Sequence, residues 1–335
     1  MNKILQQLCR IGIVPVVSVE DAGKAVGLAN ALAAGGIPAA EVTFRTQAGE
    51  EAIRLIAENC PQVLVGAGTI LNVGQCQRAL SAGAKFIVSP GYDEDLVSYC
   101  LGLGVPVIPG CANASDLGRA VTAGLEMVKF FPAEQAGGLP ALKALAPVFP
   151  RLSFMPTGGI SIKNFSEYLG YDRVRLCGGS WMAKSELIEG EQWDKITALC
   201  RQAVGTMLNF TLQHVGLPCG SADAAASTAR AICRLFGLEY RQGNTSDFAV
   251  PFVECCKAEL PGTHGHIAIG TPDVERAEQA SGVEDGYARS VVGSWAGTAG
   301  RPAAGVLSGP RVGPHTRHGA VGGLSSYGKA GGAAA

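Results

Sequence analysis

A chain of 335 residues has room for one α/β barrel of roughly 200 to 250 residues plus something smaller, so two units fit it better than one. Its formal net charge of −1, with no run of basic residues interleaved with aromatics, excludes a general attraction for nucleic acid or anionic membrane and favours a small-molecule ligand. No apolar stretch approaches the ~20 residues that span a bilayer, the start Met1-Asn2-Lys3-Ile4-Leu5 lacks the apolar core of a signal peptide, and eleven scattered cysteines form no Cys-x-x-Cys pair, as expected of reduced core thiols in a cytoplasmic protein.

Up to about residue 204, short apolar runs alternate with segments of helical spacing, the sequence sign of a parallel sheet with crossover helices. The runs predict strands over 12–17, 39–45, 64–70, 86–90, 106–110, 127–132, 153–159 and 173–180, with helical patterns between them such as 22–34 and 50–58, and 193–204 after the last. Eight such units in about two hundred residues predict an α/β fold of the (β/α)8 TIM-barrel type rather than an open sheet.

Barrel enzymes place their chemistry at the C-terminal ends of the strands, and the polar residues fall there. In the second strand, Glu41-Val42-Thr43-Phe44-Arg45, period-two geometry puts Glu41, Thr43 and Arg45 on one face, toward the barrel interior. The third closes in Gly66-Ala67-Gly68-Thr69, and the fourth and fifth in Ser89-Pro90-Gly91 and Pro109-Gly110, which by themselves read as turn chemistry. The sixth carries Lys129 inside the apolar run Met127-Val128-Lys129-Phe130-Phe131-Pro132. Burying an ammonium group costs several kcal/mol or lowers its pKa until the amine is neutral, and a neutral amine is a nucleophile suited to Schiff-base chemistry. The seventh and eighth close in Thr157-Gly158-Gly159 and Gly178-Gly179-Ser180, paired glycines with a hydroxyl at the two positions where barrels often cradle phosphate.

Six blocks in this order, Glu41-Val-Thr-Phe-Arg45, Gly66-Ala-Gly-Thr69, Ser89-Pro-Gly91, Lys129-Phe-Phe-Pro-Ala-Glu134, Pro156-Thr-Gly-Gly159 and Gly178-Gly-Ser-Trp181, resemble the class I 2-keto-3-deoxy-6-phosphogluconate (KDPG)/4-hydroxy-2-oxoglutarate (KHG) aldolases over residues 1–205. The resemblance implies that Lys129 forms a Schiff base with the C2 ketone of a keto-acid substrate and that Glu41 is the general acid/base. It implies that Arg45 and Thr69 bind the carboxylate, while Pro90 and Phe131 line the methyl end of pyruvate. Thr157 then contacts a substrate hydroxyl, and Gly158, Gly159, Gly179 and Ser180 form the phosphate cradle. No cofactor and a homotrimer are further implications. Some relatives carry an arginine just after the first strand, where this chain reads Val17-Ser18-Val19.

From about residue 209 the pattern changes, with a helix-like stretch over 222–236 and strand-like runs around it. Residues 208–282 resemble the start of a glyoxalase-like, vicinal-oxygen-chelate region, an α+β module of order β-α-β-β-β whose second half breaks off. His214, Glu254 and His266 match the metal-binding positions of that family. Isolated histidines and a glutamate at wide spacing are common, however, and a fourth ligand is missing, so a purely structural role is the preferred expectation. The Gly-, Ala- and Ser-rich remainder, 283–335, lacks helical or strand periodicity and is expected to be a disordered tail.

Overall fold

The computed structural model describes residues 2–258, 265–281, 291–292 and 305–307. The chain divides into two compact units, Met1–Met207 and Leu208–Ala335. Helix α1 (Lys3–Ile11) opens the first. Asn2 caps it, its side chain accepting from the Ile4 amide at 2.8 Å, and Gly12 ends it at φ 79°. The sequence reading places no helix here. The signal is the spacing of Leu5, Leu8 and Cys9, which turns one apolar stripe inward.

There follow β1 (Ile13–Val17), α2 (Ala25–Ala34), β2 (Ala39–Thr43), α3 (Gly49–Asn59), β3 (Leu64–Gly68), α4 (Val73–Ser81), β4 (Ile87–Val88), α5 (Glu94–Gly102), β5 (Val107–Ile108), α6 (Ala114–Thr122), β6 (Met127–Phe130), α7 (Gly138–Leu145), β7 (Ser153–Pro156), α8 (Phe165–Leu169), β8 (Cys177–Gly179), α9 (Ser185–Glu189) and α10 (Trp193–Leu208). Three successive helices start on the same device: Asn72, Asp93 and Asn113 accept from backbone amides at 2.9, 2.7 and 3.0 Å at the heads of α4, α5 and α6.

All strand pairs of this unit are parallel, in the order β5-β4-β3-β2-β1-β8 with β6 beside β7. Bridges Gly110↔Lys129 and Thr157↔Gly178 join the two groups and close the barrel. The strands end earlier than the apolar runs do. Strand β2 stops at Thr43, so Arg45 lies in the following turn, exposed, and not on the interior face expected for it. Likewise β4 and β5 are two residues each, because Ser89-Pro90-Gly91 and Pro109-Gly110 leave the ladder.

The second unit contains β9 (Thr211–Pro218), α11 (Ala222–Phe236), β10 (Glu239–Gln242), β11 (Ser246–Val250), β12 (Val253–Cys256), β13 (His266–Thr271), α12 (Val274–Ser281), β14 (Val291–Val292) and β15 (Gly305–Leu307). Its sheet runs β10-β11-β12-β9-β13-β15-β14, with β12 parallel to β9 and the other pairs antiparallel. Ala225 and Ala229 of α11 pack on Cys255, with Leu217, Ile232 and Val253 around them.

Strands β14 and β15 fall within the segment 283–335, where no strand is expected; β15 pairs with the edge of β13 and β14 with β15, and edge pairing through the backbone requires no side-chain periodicity. The rest of the expected disordered segment lies outside the described residues. Among the described residues no helix is long and apolar enough to cross a membrane.

Candidate active site

Every residue of β2 and of β6 is buried, as both faces of a barrel strand must be. Inside this apolar enclosure Lys129 Nζ lies 3.2 Å from Glu41 Oε1, the lysine side chain 6% and the glutamate 0% exposed. A buried charge without a partner costs several kcal/mol, so each group makes the other tolerable. The backbone of Lys129 is fixed from the β5 side, its amide donating to Pro109 O and its carbonyl accepting from Cys111 N, both at 2.8 Å. Lys129 Nζ also sits 5.2 Å from the centre of the Phe131 ring.

Room for Glu41 comes from β3. A Cβ on Gly68 would overlap Glu41 Oε1, and one on Gly66 would overlap the Phe86 ring. The glycines that read as turn chemistry in the sequence are space for a carboxylate and for a core aromatic. Two buried polar atoms here have no hydrogen-bond partner among the described residues: Glu41 Oε2 and Thr43 Oγ1.

Beyond the strand ends, Arg45 Nε donates to Thr69 Oγ1 at 3.2 Å. Thr69 has φ 58°, a left-handed conformation that costs a β-branched residue roughly 1–2 kcal/mol. The surrounding loop holds its hydroxyl at the guanidinium in spite of that cost. Pro90 is half-buried. Ser89 fixes the turn beside it by donating to Gly91 O at 2.7 Å, and Gly110 allows β5 to approach the Pro90 carbonyl.

At the ends of β7 and β8, Thr157 is buried and donates to Met155 O at 3.4 Å. Gly158 and Gly159 have φ 96° and 78°, left-handed values that glycine adopts freely. A Cβ on Gly159 would overlap the side chain of Glu134, which accepts a hydrogen bond from the Tyr168 hydroxyl. Burial, then that carboxylate, pushes the Tyr168 phenol up from its ordinary value. The pair clamps the β7 turn, a role the sequence did not signal for either residue. Gly179 is the only residue type that fits against the Trp181 ring, and the next residue, Ser180, is exposed.

In the second unit, strands β12, β9 and β13 lie side by side in register, Glu254 opposite Gly216 and His266 opposite the same glycine. Widely spaced residues thereby converge. His214 Nε2 is 2.8 Å and His266 Nε2 3.2 Å from Glu254 Oε2, and the two nitrogens are 3.1 Å apart. Burial alone raises the Glu254 carboxyl, but hydrogen bonds from His214, His266 and Ser246 outweigh it and hold the group far below the usual carboxylate range. Three donors bound to one ion at about 2.1 Å and at right angles lie about 3.0 Å apart, so this nearly equilateral triangle fits a divalent cation with a nitrogen- and oxygen-preferring character. The resemblance names these three residues together, but their spacing in sequence alone does not bring them close; the strand order does.

The first unit is thus a parallel α/β barrel with a lysine and a glutamate paired in its interior and glycine-rich turns at the mouth, the arrangement of an enzyme that works through a buried amine. The family described as KDPG and KHG aldolase matches residues 4–199, and the chain belongs to it. It is 46% identical over 217 residues, 65% of this chain and 100% of the other, to a 2-dehydro-3-deoxy-phosphogluconate aldolase of Treponema pallidum. It is 44% identical over 192 residues, 57% of this chain and 90% of the other, to the KHG/KDPG aldolase of Escherichia coli K12. Among solved structures, the KDPG aldolase of Legionella pneumophila, with pyruvate captured as a covalent carbinolamine, superposes with a TM-score of 0.59 at 40% identity, covering 60% of this chain and 98% of that one.

Proposed function

We propose that the barrel cleaves 2-keto-3-deoxy-6-phosphogluconate to pyruvate and glyceraldehyde 3-phosphate through an imine on Lys129. The observation that carries this reading is the buried contact of 3.2 Å between Lys129 Nζ and Glu41 Oε1. The amine adds to the C2 carbonyl, and loss of water from the carbinolamine leaves an iminium. Glu41, directly or through a water, takes the proton of the C4 hydroxyl as the C3–C4 bond breaks and its electrons pass to the iminium nitrogen. Protonation of the enamine at C3 and hydrolysis release pyruvate and restore the amine. The iminium is itself the electron sink, so the step requires no metal.

Arg45 and Thr69, already hydrogen-bonded to one another, receive the carboxylate. Phe131 and Pro90 wall the methyl end, Thr157 contacts a hydroxyl, and Gly158, Gly159, Gly179 and Ser180 hold the phosphate. Cleavage of 4-hydroxy-2-oxoglutarate to pyruvate and glyoxylate uses the same chemistry; two glycine-rich turns at the mouth favour the phosphorylated substrate. Borohydride reduction with pyruvate, followed by peptide mass mapping, is expected to find the adduct on Lys129. Attachment to any other lysine overturns the assignment.

The cluster of His214, Glu254 and His266 favours a second reading, in which residues 208–282 are a glyoxalase-like module with a divalent metal held by these three side chains. Such an ion would act as a Lewis acid toward a ligand oxygen. The full chain, dialysed after loading with Zn²⁺, should retain one ion that Glu254→Ala releases; equal retention by both proteins removes this site. We place residues 1–207 as the catalytic barrel and 283–335 as an appendage. A homotrimer is proposed on the family resemblance, to be measured by sedimentation. Eleven free cysteines, ten of them buried, support a reducing, cytoplasmic setting.

A further inference from the structure

Thr43 is the last residue of β2, one pleat beyond Glu41 toward the mouth of the barrel, and the period-two rule puts both on the interior face. Its side chain is buried, 1% exposed, and its hydroxyl has no hydrogen-bond partner among the described residues. A buried hydroxyl left unpaired is costly, and valine would fill the same volume without that cost. Two buried atoms of one strand face share this condition, Thr43 Oγ1 and Glu41 Oε2, and Glu41 is the residue in contact with Lys129. Further along the chain the strand gives way to Arg45, which meets Thr69. Thr43 therefore stands between the group that moves the proton and the group that receives the carboxylate.

We propose that the Thr43 hydroxyl is a substrate-binding group, a hydrogen-bond donor to the carboxylate–C2 portion of the keto acid, and that its partner is supplied only by the bound ligand. The inference rests on the aldolase reading of the barrel. It assigns to Thr43 the half of the substrate that becomes pyruvate, as distinct from the aldehyde and phosphate half.

The test compares the full-length wild type with Thr43→Val and Thr43→Ser. In Thr43→Val the pyruvate concentration for half-maximal borohydride trapping at Lys129 should rise about 10-fold or more, the usual consequence of losing a hydrogen bond to a charged or polarised oxygen. The KM for glyceraldehyde 3-phosphate in the condensation direction should stay unchanged, since that half does not meet Thr43. The apo Tm should be unchanged or higher, because a buried unpaired hydroxyl has been removed. Thr43→Ser should restore pyruvate binding. Unaltered pyruvate dependence in Thr43→Val overturns the proposal, as does a lower apo Tm with equal losses for pyruvate and aldehyde, which would make the hydroxyl structural. If Thr43→Val fails to fold, loss of pyruvate binding in a folded Thr43→Ala of normal Tm supports the proposal, and unaltered binding there overturns it. Absence of trapping or turnover in the wild type itself would instead sink the aldolase reading.

Discussion

Glu41 occupies its position because one residue on the neighbouring strand, Gly68, lacks a side chain. The ladder sets Glu41 opposite Gly66 and Thr43 opposite Gly68, and the carboxylate leans over the second of these. Lys129 then reaches it from a strand that is not its neighbour, so the contact crosses the barrel interior. Glu41→Gln keeps the shape and a hydrogen-bonding group but removes the base. Imine trapping should survive, while steady-state turnover should fall by about 10²- to 10⁴-fold, the range for losing a positioned acid/base. Wild-type turnover would remove Glu41 from the mechanism. Both residues were legible in the sequence, Lys129 as a charge in an apolar run and Glu41 by strand parity. Their contact was not, because 88 positions separate them and only barrel closure brings them together. The space that Gly68 supplies was equally hidden, since it depends on the register of the next strand.

The turns at the ends of β7 and β8 act as one element. Gly158 and Gly159 take left-handed φ values, and Glu134, held by Tyr168, packs against Gly159, so the amides after β7 are fixed before any ligand arrives. The Glu134 amide donates to Gly158 O at 3.1 Å and the Ala133 amide to Thr157 O at 2.8 Å, tying the end of β6 to this turn. Ser180 adds a hydroxyl from the turn after β8. Ser180→Ala should therefore lower kcat/KM on the phosphorylated substrate by roughly 10- to 100-fold, the equivalent of a charge-assisted hydrogen bond of about 1.5–3 kcal/mol. Action on 4-hydroxy-2-oxoglutarate should change much less, and equal losses on both would argue against a phosphate site.

Paired glycines at these two strand ends could be read in the sequence, but the clamp could not, because Glu134 and Tyr168 come from different helix-side segments. The same limit applies to His214, Glu254 and His266. Each was legible as a donor, yet the triangle arises from a sheet order, β12-β9-β13, that the chain order does not announce. Helices α1, α9 and α12 were not read from the sequence, because segments of five to nine residues hold too few turns for an apolar stripe to stand out. Strand ends were overshot because apolar runs continue past the last ladder bond, which is how Arg45 came to be expected on β2.

At the scale of the whole molecule, the apolar core of the barrel runs from Leu5 to Met207 and is built from residues of the first unit alone. Helix α10 completes it. Its Ile196, Cys200 and Ala203 are buried, Thr197 Oγ1 donates to Ala31 O at 3.0 Å, and Gly35 on the α2 side leaves room for Cys200. The thiol of Cys200 is pushed up to about 12 by that burial, in keeping with a side chain that packs rather than reacts. Among the described residues this core draws on the first unit alone, and the second has its own smaller cluster of Ala225, Ala229 and Cys255. A chain ending at Met207 should therefore fold, melt as one cooperative transition and keep the kcat/KM of the full-length protein within about two-fold. Limited proteolysis of the full-length protein should cut the second unit first and leave a resistant fragment close to residue 207, because local opening is cheapest where the buried core is smallest. Insolubility or inactivity of the shortened chain, or digestion of the barrel as fast as the remainder, would show that the second unit contributes to the stability of the first.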